Sequence, residues 1–466
     1  MHENASPSPT TAHPYIPNAA PQVRDGMLAE LGVNSVDEFF ADIPEALRLT
    51  RPLDLPAPLT SEAELVRHME SLLSANVTTR QALNFCGAGC YQHHVPVVCS
   101  EVNGRAEFLT AYAGETYEDH GKFQALFEYA SMMAELLEMD VVTIPTYDGF
   151  QAAATALRMA TRITHRSGLV VVGPVGQDKL SKVYDYVAPV ATVEHLSADP
   201  VVPVPLAEIA RHVGEDTAAV YVELPDAHGC VDADLGALAA LAHNVGALLV
   251  VGVDPIALGV LDPPSAAGAD IVCGDIQSLG LGMQAGGAHG GFLAVHDDPR
   301  FVLELPSRLF GLTPTGKPGE IGFRDVAYER TSLAARENGN EWVGTAAALW
   351  GITAGVYLAL HGPQGMAELG DTIIDRTHYA MQTLAGTGLV EVPGIDRPHF
   401  REFVVDLAPS GRTAADFLKA MAQRRIFAGV DISAESGSQQ VLLCTTEVHN
   451  QRDIDTLVAA VKEVLA

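Results

Sequence analysis

The sequence predicts an α/β protein with a large domain built on a parallel β-sheet and a smaller α+β domain after it. Two observations lead to this prediction. From about residue 125, continuous apolar runs alternate with helical patterns, which is typical of a parallel sheet with helices on both faces. Beyond residue 367, the pattern changes to a few strands and a terminal helix. We therefore expect an N-terminal arm and helical segment over residues 1–80, the large domain over 81–366 and the small domain over 367–466.

The N-terminal segment carries three local signals. Residues 1–25 are polar and rich in proline, which favours an extended arm that lies on a partner or on the body of the protein. Ser35, followed three residues later by Glu38, indicates a capping box at the start of a short helix. Apolar residues near one face predict a helix over residues 60–83.

The remaining elements are predicted from hydrophobic periodicity. Helices are expected over residues 126–139, 150–164, 343–361 and 454–465, and strands over residues 140–144, 168–173, 218–224, 247–253, 270–273, 400–407 and 440–446. The uncharged stretch Val343–Leu360 approaches the length of a membrane span. Because it is rich in alanine, glycine and threonine, we interpret it as a buried helix and expect no membrane association.

Composition and charge exclude several classes of protein. Hydrophobic residues make up 48% and charged residues 18% of the 466 residues, as in ordinary globular proteins. The 58 acidic and 28 basic residues give a formal charge of −30, which repels nucleic acids and anionic membranes. The six cysteines form no CxxC pair, and the first residues lack the pattern of an export signal. These features predict a cytoplasmic protein.

The predicted domain order is typical of aspartate-aminotransferase-like enzymes, the pyridoxal-phosphate-dependent transferases of fold type I. Their site needs a lysine for the Schiff base, an acid for the pyridine nitrogen and a helix N-terminus for the phosphate. Asp254 ends the strand ALLVVGVD and is a candidate for the acid, although a carboxylate that caps a loop is an equally good interpretation. Tyr147-Asp148-Gly149 lies between a strand and a helix and offers backbone amides to a phosphate, but Asp148 would repel it.

The lysine that this fold requires is missing. The expected place follows the strand ADIVCGD, near Ser278 and before the glycine-rich run 286–291. The chain has six lysines, and none lies between Lys182 and Lys317. Without an ε-amine, no Schiff base with the cofactor can form here.

Two other clusters have weaker functional interpretations. Cys86 and Cys90 allow a metal or redox pair, but two small residues in a tight glycine-rich segment explain them better. The histidines His93, His94, His120 and His289 have no spacing typical of metal ligands, so no metal site is predicted.

Motifs that carry a family resemblance are spread along the chain. They are Tyr15-Ile16-Pro17-Asn18, Phe40-Ala41-Asp42-Ile43-Pro44, Gly87-Ala88-Gly89-Cys90-Tyr91 with His93 and Val95-Pro96, Ala125-Leu126-Phe127-Glu128-Tyr129, Tyr147-Asp148-Gly149, Val253-Asp254-Pro255 through Leu258-Gly259, Gly268-Ala269-Asp270, Arg308-Leu309, Val356-Tyr357-Leu358-Ala359-Leu360 with Gly362-Pro363, and Thr445-Thr446-Glu447 to Asp453-Ile454-Asp455. Over nearly its full length the sequence resembles glycine dehydrogenase (decarboxylating) subunit 1, the A half of the glycine cleavage P-protein.

The resemblance implies a subunit of a glycine decarboxylase that acts with a B-type partner, as a heterotetramer. The partner would hold the lysine and pyridoxal phosphate, decarboxylate glycine and pass the aminomethyl group to a lipoyl carrier protein. Asp254 would then be a relic of a duplicated ancestor. The residues of this chain that would shape the pocket are Tyr91, His93, Tyr112, Glu118 and Arg336.

Departures from the family pattern leave two alternatives open. The family's YTPYQPEISQG segment is replaced by residues 112–121, its ATSN run changes within residues 338–342, and the tyrosine of its GGPYLG turn is His289. If these segments line the partner's active site, the chain is a divergent paralogue that handles another small amino acid in a specialised pathway. The other alternative is a non-catalytic scaffold subunit.

Overall fold

The computed structural model describes residues 15–49, 51, 53–108, 122–197, 202–343 and 347–466. The chain divides into two units, residues 1–78 and 79–466. The first unit contains the helices α1 (Pro21–Leu31) and α2 (Glu62–Leu73). The extended arm expected over residues 1–25 is therefore wrong from Pro21 onwards, where a proline with its φ already helical begins α1.

The capping box predicted at Ser35 and Glu38 is present only in part, with other amide donors than expected. Ser35 accepts a hydrogen bond from the Asp37 amide at 3.0 Å, and the Glu38 carboxylate accepts one from the Asn34 amide at 2.7 Å. The helix that follows is a single 3₁₀ segment, Val36–Phe40. No described residue of the first unit is buried, so this unit has no hydrophobic core of its own.

The second unit contains an α/β region followed by a smaller α+β region, the two architectures predicted from the sequence. Its first half comprises β1 (Leu83–Asn84), α3 (Val97–Asn103), α4 (Lys122–Leu137), β2 (Val141–Val142), α5 (Gly149–Thr164), β3 (Gly168–Val172), α6 (Gln177–Val187), β4 (Thr192–Leu196), α7 (Leu206–Ile209), β5 (Thr217–Leu224), α8 (Leu235–Asn244), β6 (Leu248–Val253), β7 (Ile271–Asp275) and β8 (Gly291–Val295). Its second half comprises α9 (Pro299–Val302), β9 (Leu309–Pro314), β10 (Ile321–Val326), α10 (Ser332–Ala335), α11 (Ala348–Ala385), β11 (Glu402–Asp406), α12 (Ala414–Gln423), β12 (Ile426–Phe427), β13 (Val430–Asp431), α13 (Ser433–Ser436), β14 (Gln440–Cys444) and α14 (Gln451–Leu465).

A seven-stranded sheet forms the centre of this unit, in the order β2-β8-β7-β6-β5-β3-β4. The parallel sheet expected from the sequence is in fact mixed, because β8 runs antiparallel to both of its neighbours. Alternate side chains of each central strand enter separate hydrophobic clusters: Val170 and Val172 join one, and Leu169 and Val171 the other. Both faces are therefore covered, as the continuous apolar strands predict.

The C-terminal region contains the antiparallel sheet β11-β14-β13, packed against α12 and α14. Helix α11 leads into it and is interrupted at Gly362, whose φ is 60°. Pro363 explains the break, since a proline lacks an amide donor and disfavours a helical residue before it. The helix runs through the domain boundary expected near residue 367. None of the helices in the part of the chain that the structure describes has the length and apolar character of a membrane span.

Candidate functional site

A cavity of about 260 Å³ lies at the carboxyl ends of the central parallel strands. Ligands in open α/β sheets bind at this edge, so the cavity lies where this fold is expected to bind a ligand. Asp254, directly after β6, and Asp275, at the end of β7, line the cavity. Arg401 and Glu402 enter it from the start of β11, and Lys179 from the first turn of α6.

Asp254 forms an ion pair with Arg401, and both side chains are almost completely buried. The Arg401 guanidinium also lies over the ring of Tyr91, 3.4 Å from its centroid. One guanidinium nitrogen, Nη1, donates to His93 Nε2 at 2.9 Å. The carboxylate that this fold offers to a pyridine nitrogen is thus already neutralised within the chain.

His93 extends this ion pair into a chain of contacts. Its Nδ1 lies 2.7 Å from Glu447 Oε2, and the Glu447 Oε1 atom accepts from the His94 amide at 2.6 Å. Burial lowers the pKa of His93, so the imidazole stays neutral and can accept from Arg401. Burial raises the pKa of Glu447, but its bonds to His93 and the His94 amide outweigh this and lower it to about 2.

Tyr91 is fixed from two sides. Its hydroxyl donates to Glu402 Oε2 at 2.8 Å, and Glu402 Oε1 accepts from the Ala88 amide at 2.6 Å. The Gln277 side chain accepts from the Tyr91 amide and donates to the Tyr91 carbonyl, both at 2.9 Å. Burial raises the pKa of Glu402 and of Tyr91, which keeps the phenol protonated.

The N-terminus of α5 is occupied by carboxylates of the chain itself. Asp148 caps the helix and accepts from the Gln151 amide at 2.6 Å. The Gly149 amide donates to Asp275 Oδ2 at 2.7 Å. A Cβ atom at Gly149 would lie 2.9 Å from the Asp275 Cβ, so only glycine allows this approach. These amides, which could bind an anion, already have partners.

Two residues of the cavity are candidates for the position of the Schiff-base lysine, and neither supplies a free amine. Ser278 is buried, and its hydroxyl has no hydrogen-bond partner among the described residues. Lys179 lines the cavity but pairs with Glu223, whose Oε1 also accepts from the Tyr221 hydroxyl at 2.7 Å. Burial lowers the pKa of Lys179, but the Glu223 charge outweighs it and the pKa is raised. The amine is therefore held as an ammonium.

The structure brings together only part of the set predicted from the sequence. Tyr91, Asp254 and Ser278 line the cavity, and His93 lies behind it. Arg336 is exposed and is not among the residues that line this cavity. Tyr112 and Glu118 lie outside the described residues.

Four charged residues that line the cavity were not predicted from the sequence. They are Arg401, Glu402, Lys179 and Glu223. The consecutive pair 401–402 had a usable signal, because an arginine and a glutamate inside the apolar run from Phe400 to Leu407 need buried partners. Those partners come from other elements, which the run itself does not reveal.

Comparison with known proteins places the chain in a family. The profile of the glycine cleavage system P-protein family matches residues 13–461. The chain belongs to this P-protein family.

Several relatives of the P-protein family match over the full length. A probable glycine dehydrogenase (decarboxylating) subunit 1 of Aeropyrum pernix is 34% identical, with 97% of this chain and 99% of the relative covered. The protein of the same description from Carboxydothermus hydrogenoformans is 35% identical, with 95% and 98% covered. The crystal structure of glycine decarboxylase (P-protein) of the glycine cleavage system, in inhibitor-bound form, has a TM-score of 0.86 at 34% identity, with 98% and 100% covered.

More distant structures show the fold alone. An aspartate aminotransferase from Thermus thermophilus has a TM-score of 0.55 at 18% identity, with 82% of this chain and 99% of that chain covered. A NifS-like protein has a TM-score of 0.61 at 11% identity, again with 82% and 99% covered. The fold class predicted from the sequence, aspartate-aminotransferase-like, is confirmed.

The cavity of this P-protein chain does not fit pyridoxal phosphate, the cofactor of the fold. Ser278 offers no amine, and the Lys179 amine is held as an ammonium. Arg401 forms an ion pair with the Asp254 carboxylate, which would otherwise be available to the pyridine nitrogen. Asp275 accepts a hydrogen bond from a helix amide that would otherwise be available to the phosphate. Each of the three requirements of the site is therefore unmet in the described residues.

Proposed function

We propose that this chain is the non-lysine, A-type subunit of a pyridoxal-phosphate-dependent glycine decarboxylase of the glycine cleavage system. The observation that carries the proposal is the full-length match with proteins named glycine dehydrogenase (decarboxylating) subunit 1. The word subunit in those names implies a second chain. The comparisons do not favour the divergent paralogue or the non-catalytic scaffold.

The partner subunit, of B type, holds the cofactor in this proposal. Its support is the cavity of this chain, where Ser278 stands near the place of the lysine and Arg401 neutralises Asp254. When bound, pyridoxal phosphate supplies the electron sink for the charge left by loss of carbon dioxide. This chain contributes no amine to that chemistry.

The role of this chain is to complete the active site of the assembly. Tyr91 and His93 hold the loop 86–93 rigid through buried bonds to Glu402 and Glu447. A rigid loop positions neighbouring groups without further loss of entropy on binding. Tyr112, Glu118 and Arg336 remain proposals for residues that reach the partner's site. The substrate is glycine, and the product passes to a lipoyl carrier protein.

The test is reconstitution. The chain is co-purified with a B-type partner, and release of carbon dioxide from carboxyl-labelled glycine is measured with a lipoyl carrier protein. We expect release from the complex and none from this chain alone with pyridoxal phosphate. A panel of small amino acids serves as the control for the substrate. A partner that is equally active without this chain would overturn the proposal, and so would a preference for another amino acid.

A further inference from the structure

The cavity at the carboxyl ends of the central strands does not fit pyridoxal phosphate, but its lining suits a different ligand. We infer that it binds a small aliphatic amine that carries a hydroxyl or a second amine and no carboxylate. The residues that carry this inference are Ser278, which is buried, and Asp178 and Glu435, which are exposed. The inference does not rest on the proposed function, because it concerns a site of this chain alone.

Ser278 is a buried polar residue whose hydroxyl lacks a partner. The residue lines the cavity and is only 2% exposed. Its Oγ has no hydrogen-bond partner among the described residues. A buried hydroxyl without a partner costs free energy, and most such groups in native proteins are paired. Because Ser278 lines the cavity, a polar group of a bound ligand can supply the missing hydrogen bond.

The charge of the lining favours a cation. Among the described residues, seven carboxyl side chains and two lysine or arginine side chains line the cavity. The two cations are already paired, Lys179 with Glu223 and Arg401 with Asp254. The charge that acts on Glu435 is the like charge of Asp178 rather than that of a cation. The lining therefore keeps carboxyl groups that its own lysine and arginine do not neutralise.

The carboxyl groups of the lining show the effect of this excess. Burial, followed by the charge of Asp178, raises the pKa of Glu435. Burial also raises the pKa of Asp226, which lines the same cavity, to about 7. A nearby cation favours the ionised form of such groups and removes the repulsion between like charges. An ammonium group in the cavity would therefore be stabilised by several carboxylates.

One feature of the lining favours an anion, but Asp178 offsets it. Helix α6 begins after Gly176, which provides no side-chain cap, and this helix N-terminus faces the cavity. Asp178 places a carboxylate in the first turn of the helix. Lys179, in the same turn, is paired with Glu223. A phosphate or a ligand carboxylate would be repelled here, which excludes anions and disfavours amino acids.

Size and apolar surface limit the ligand further. Pockets for drug-sized ligands measure about 300–1,000 Å³. The volume of about 260 Å³ suits a smaller molecule. Val430, Ile432 and Leu442 also line the cavity and offer apolar surface to a short methylene chain. The ligand class is therefore a short-chain amine whose ammonium pairs with carboxylates and whose second polar group hydrogen-bonds to Ser278.

The first part of the experiment varies the ligand on the full-length wild-type chain. Isothermal titration calorimetry compares aminobutanol with butylamine, which lacks the hydroxyl, and with butanediol, which lacks the charge. We expect one saturable site per chain for aminobutanol. Butylamine should bind about fivefold more weakly, since one neutral hydrogen bond contributes about that factor. Butanediol and the anion succinate should show no saturable binding.

The second part varies the protein. Ser278→Ala removes the hydroxyl, Glu435→Gln removes a charge of the cavity, and Glu101→Gln removes an exposed charge of α3 that is not part of the lining. In Ser278→Ala, aminobutanol should lose its advantage over butylamine. Glu435→Gln should weaken both amines by up to about fivefold, and Glu101→Gln neither. Thermal unfolding should show no loss of stability in Ser278→Ala, because the removed hydroxyl has no partner.

Three results would overturn the inference. The first is no saturable binding of aminobutanol at concentrations up to about 10 mM. The second is binding of butanediol or succinate as tight as that of aminobutanol. The third is an advantage of aminobutanol over butylamine that persists in Ser278→Ala. If Ser278→Ala does not fold, Glu435→Gln decides, because Glu435 is exposed and its amide should keep the fold. Unchanged amine affinity in that variant would then reject the site.

Discussion

At the residue scale, the main feature is a cofactor-type cavity neutralised by internal charge pairs. Asp254 stands at the end of a central strand, where an acid was expected, but Arg401 takes its charge. Arg401 also contacts Tyr91 and His93, so its guanidinium connects three other side chains. These contacts give Asp254 a structural role, although its position in the fold resembles that of a catalytic residue.

Replacing Arg401 by alanine should strongly destabilise the chain. The substitution leaves the buried Asp254 carboxylate without its partner, and breaking a buried pair in this way costs about 3–5 kcal/mol. Arg424, whose pair with Glu463 is exposed, is the matched control and should cost at most about 1 kcal/mol as alanine. Urea unfolding measures both. Equal losses for the two variants would contradict the buried-pair argument.

The buried carboxyl of Asp226 should make stability depend on pH. Burial raises its pKa from 3.8 to about 7 in the folded chain, against an ordinary value when unfolded. The folded state therefore retains a proton that the unfolded state loses, and stability falls between about pH 4 and pH 7. In Asp226→Asn this loss should disappear, while the oxygen that accepts from the His228 and Cys230 amides is kept. The variant should therefore match wild type near pH 3, gain on it between about pH 4 and pH 7, and be more stable at pH 8.

Asp232 provides a control of opposite sign for that experiment. The hydrogen bond from Arg397 lowers its pKa in the folded chain, so its charge stabilises the fold above its ordinary pKa. Asp232→Asn should therefore lose stability at pH 8 and little at pH 3. Urea unfolding at the two pH values gives both differences. If Asp226→Asn and Asp232→Asn change stability in the same direction at pH 8, the assignment of these shifts is wrong.

At the scale of elements, the close packing of α5 on β7 decides which residues fit the sheet edge. Gly149 begins α5 directly against Asp275, and a Cβ there would also lie 3.2 Å from the Asp275 nitrogen. We expect Gly149→Ala to cost about 1–3 kcal/mol through overpacking and the weakened amide bond to Asp275. Gly214, with nothing within 4 Å of its Cβ position, should tolerate alanine. Thermal unfolding of the two variants tests this, and a neutral Gly149→Ala would refute the close approach.

At the scale of the whole molecule, we expect the first unit to need another surface for its order. None of its described residues is buried, and its exposed apolar side chains include Tyr15, Leu47 and Leu55. A segment of this kind cannot bury enough surface alone. In the chain without the B-type partner that we propose, protease should cut within residues 15–78 first, and adding that partner should slow the cleavage.

The internal reference for this proteolysis is the terminal helix α14, which is capped by Asn450 and has a buried apolar face. Its cleavage rate should not respond to the partner. Cleavage within residues 15–78 at the same rate with and without a partner that demonstrably binds would contradict the expectation.

The cofactor should not bind covalently to this chain alone. Mixed with pyridoxal phosphate, the purified chain should show no Schiff-base absorption, because Ser278 has no amine and Lys179 is paired. Borohydride reduction and mass spectrometry provide the measurement, with the partner subunit proposed to hold the cofactor as the positive control. A stoichiometric adduct on one of the six lysines would sink the proposal that the partner holds the cofactor.

The sequence by itself determined the fold class, the alternation of helices and strands, and the absence of any lysine between Lys182 and Lys317. These follow from local properties of the sequence. An apolar run such as Thr217–Leu224 predicts a buried strand, and the positions of the lysines are given by the sequence itself. The tertiary structure decided the antiparallel direction of β8 and the partners of Asp254, Tyr91 and His93. Those contacts join residues from distant elements, such as Arg401 and Glu447. Burial removes these groups from water, so each must find its partner wherever the fold places one.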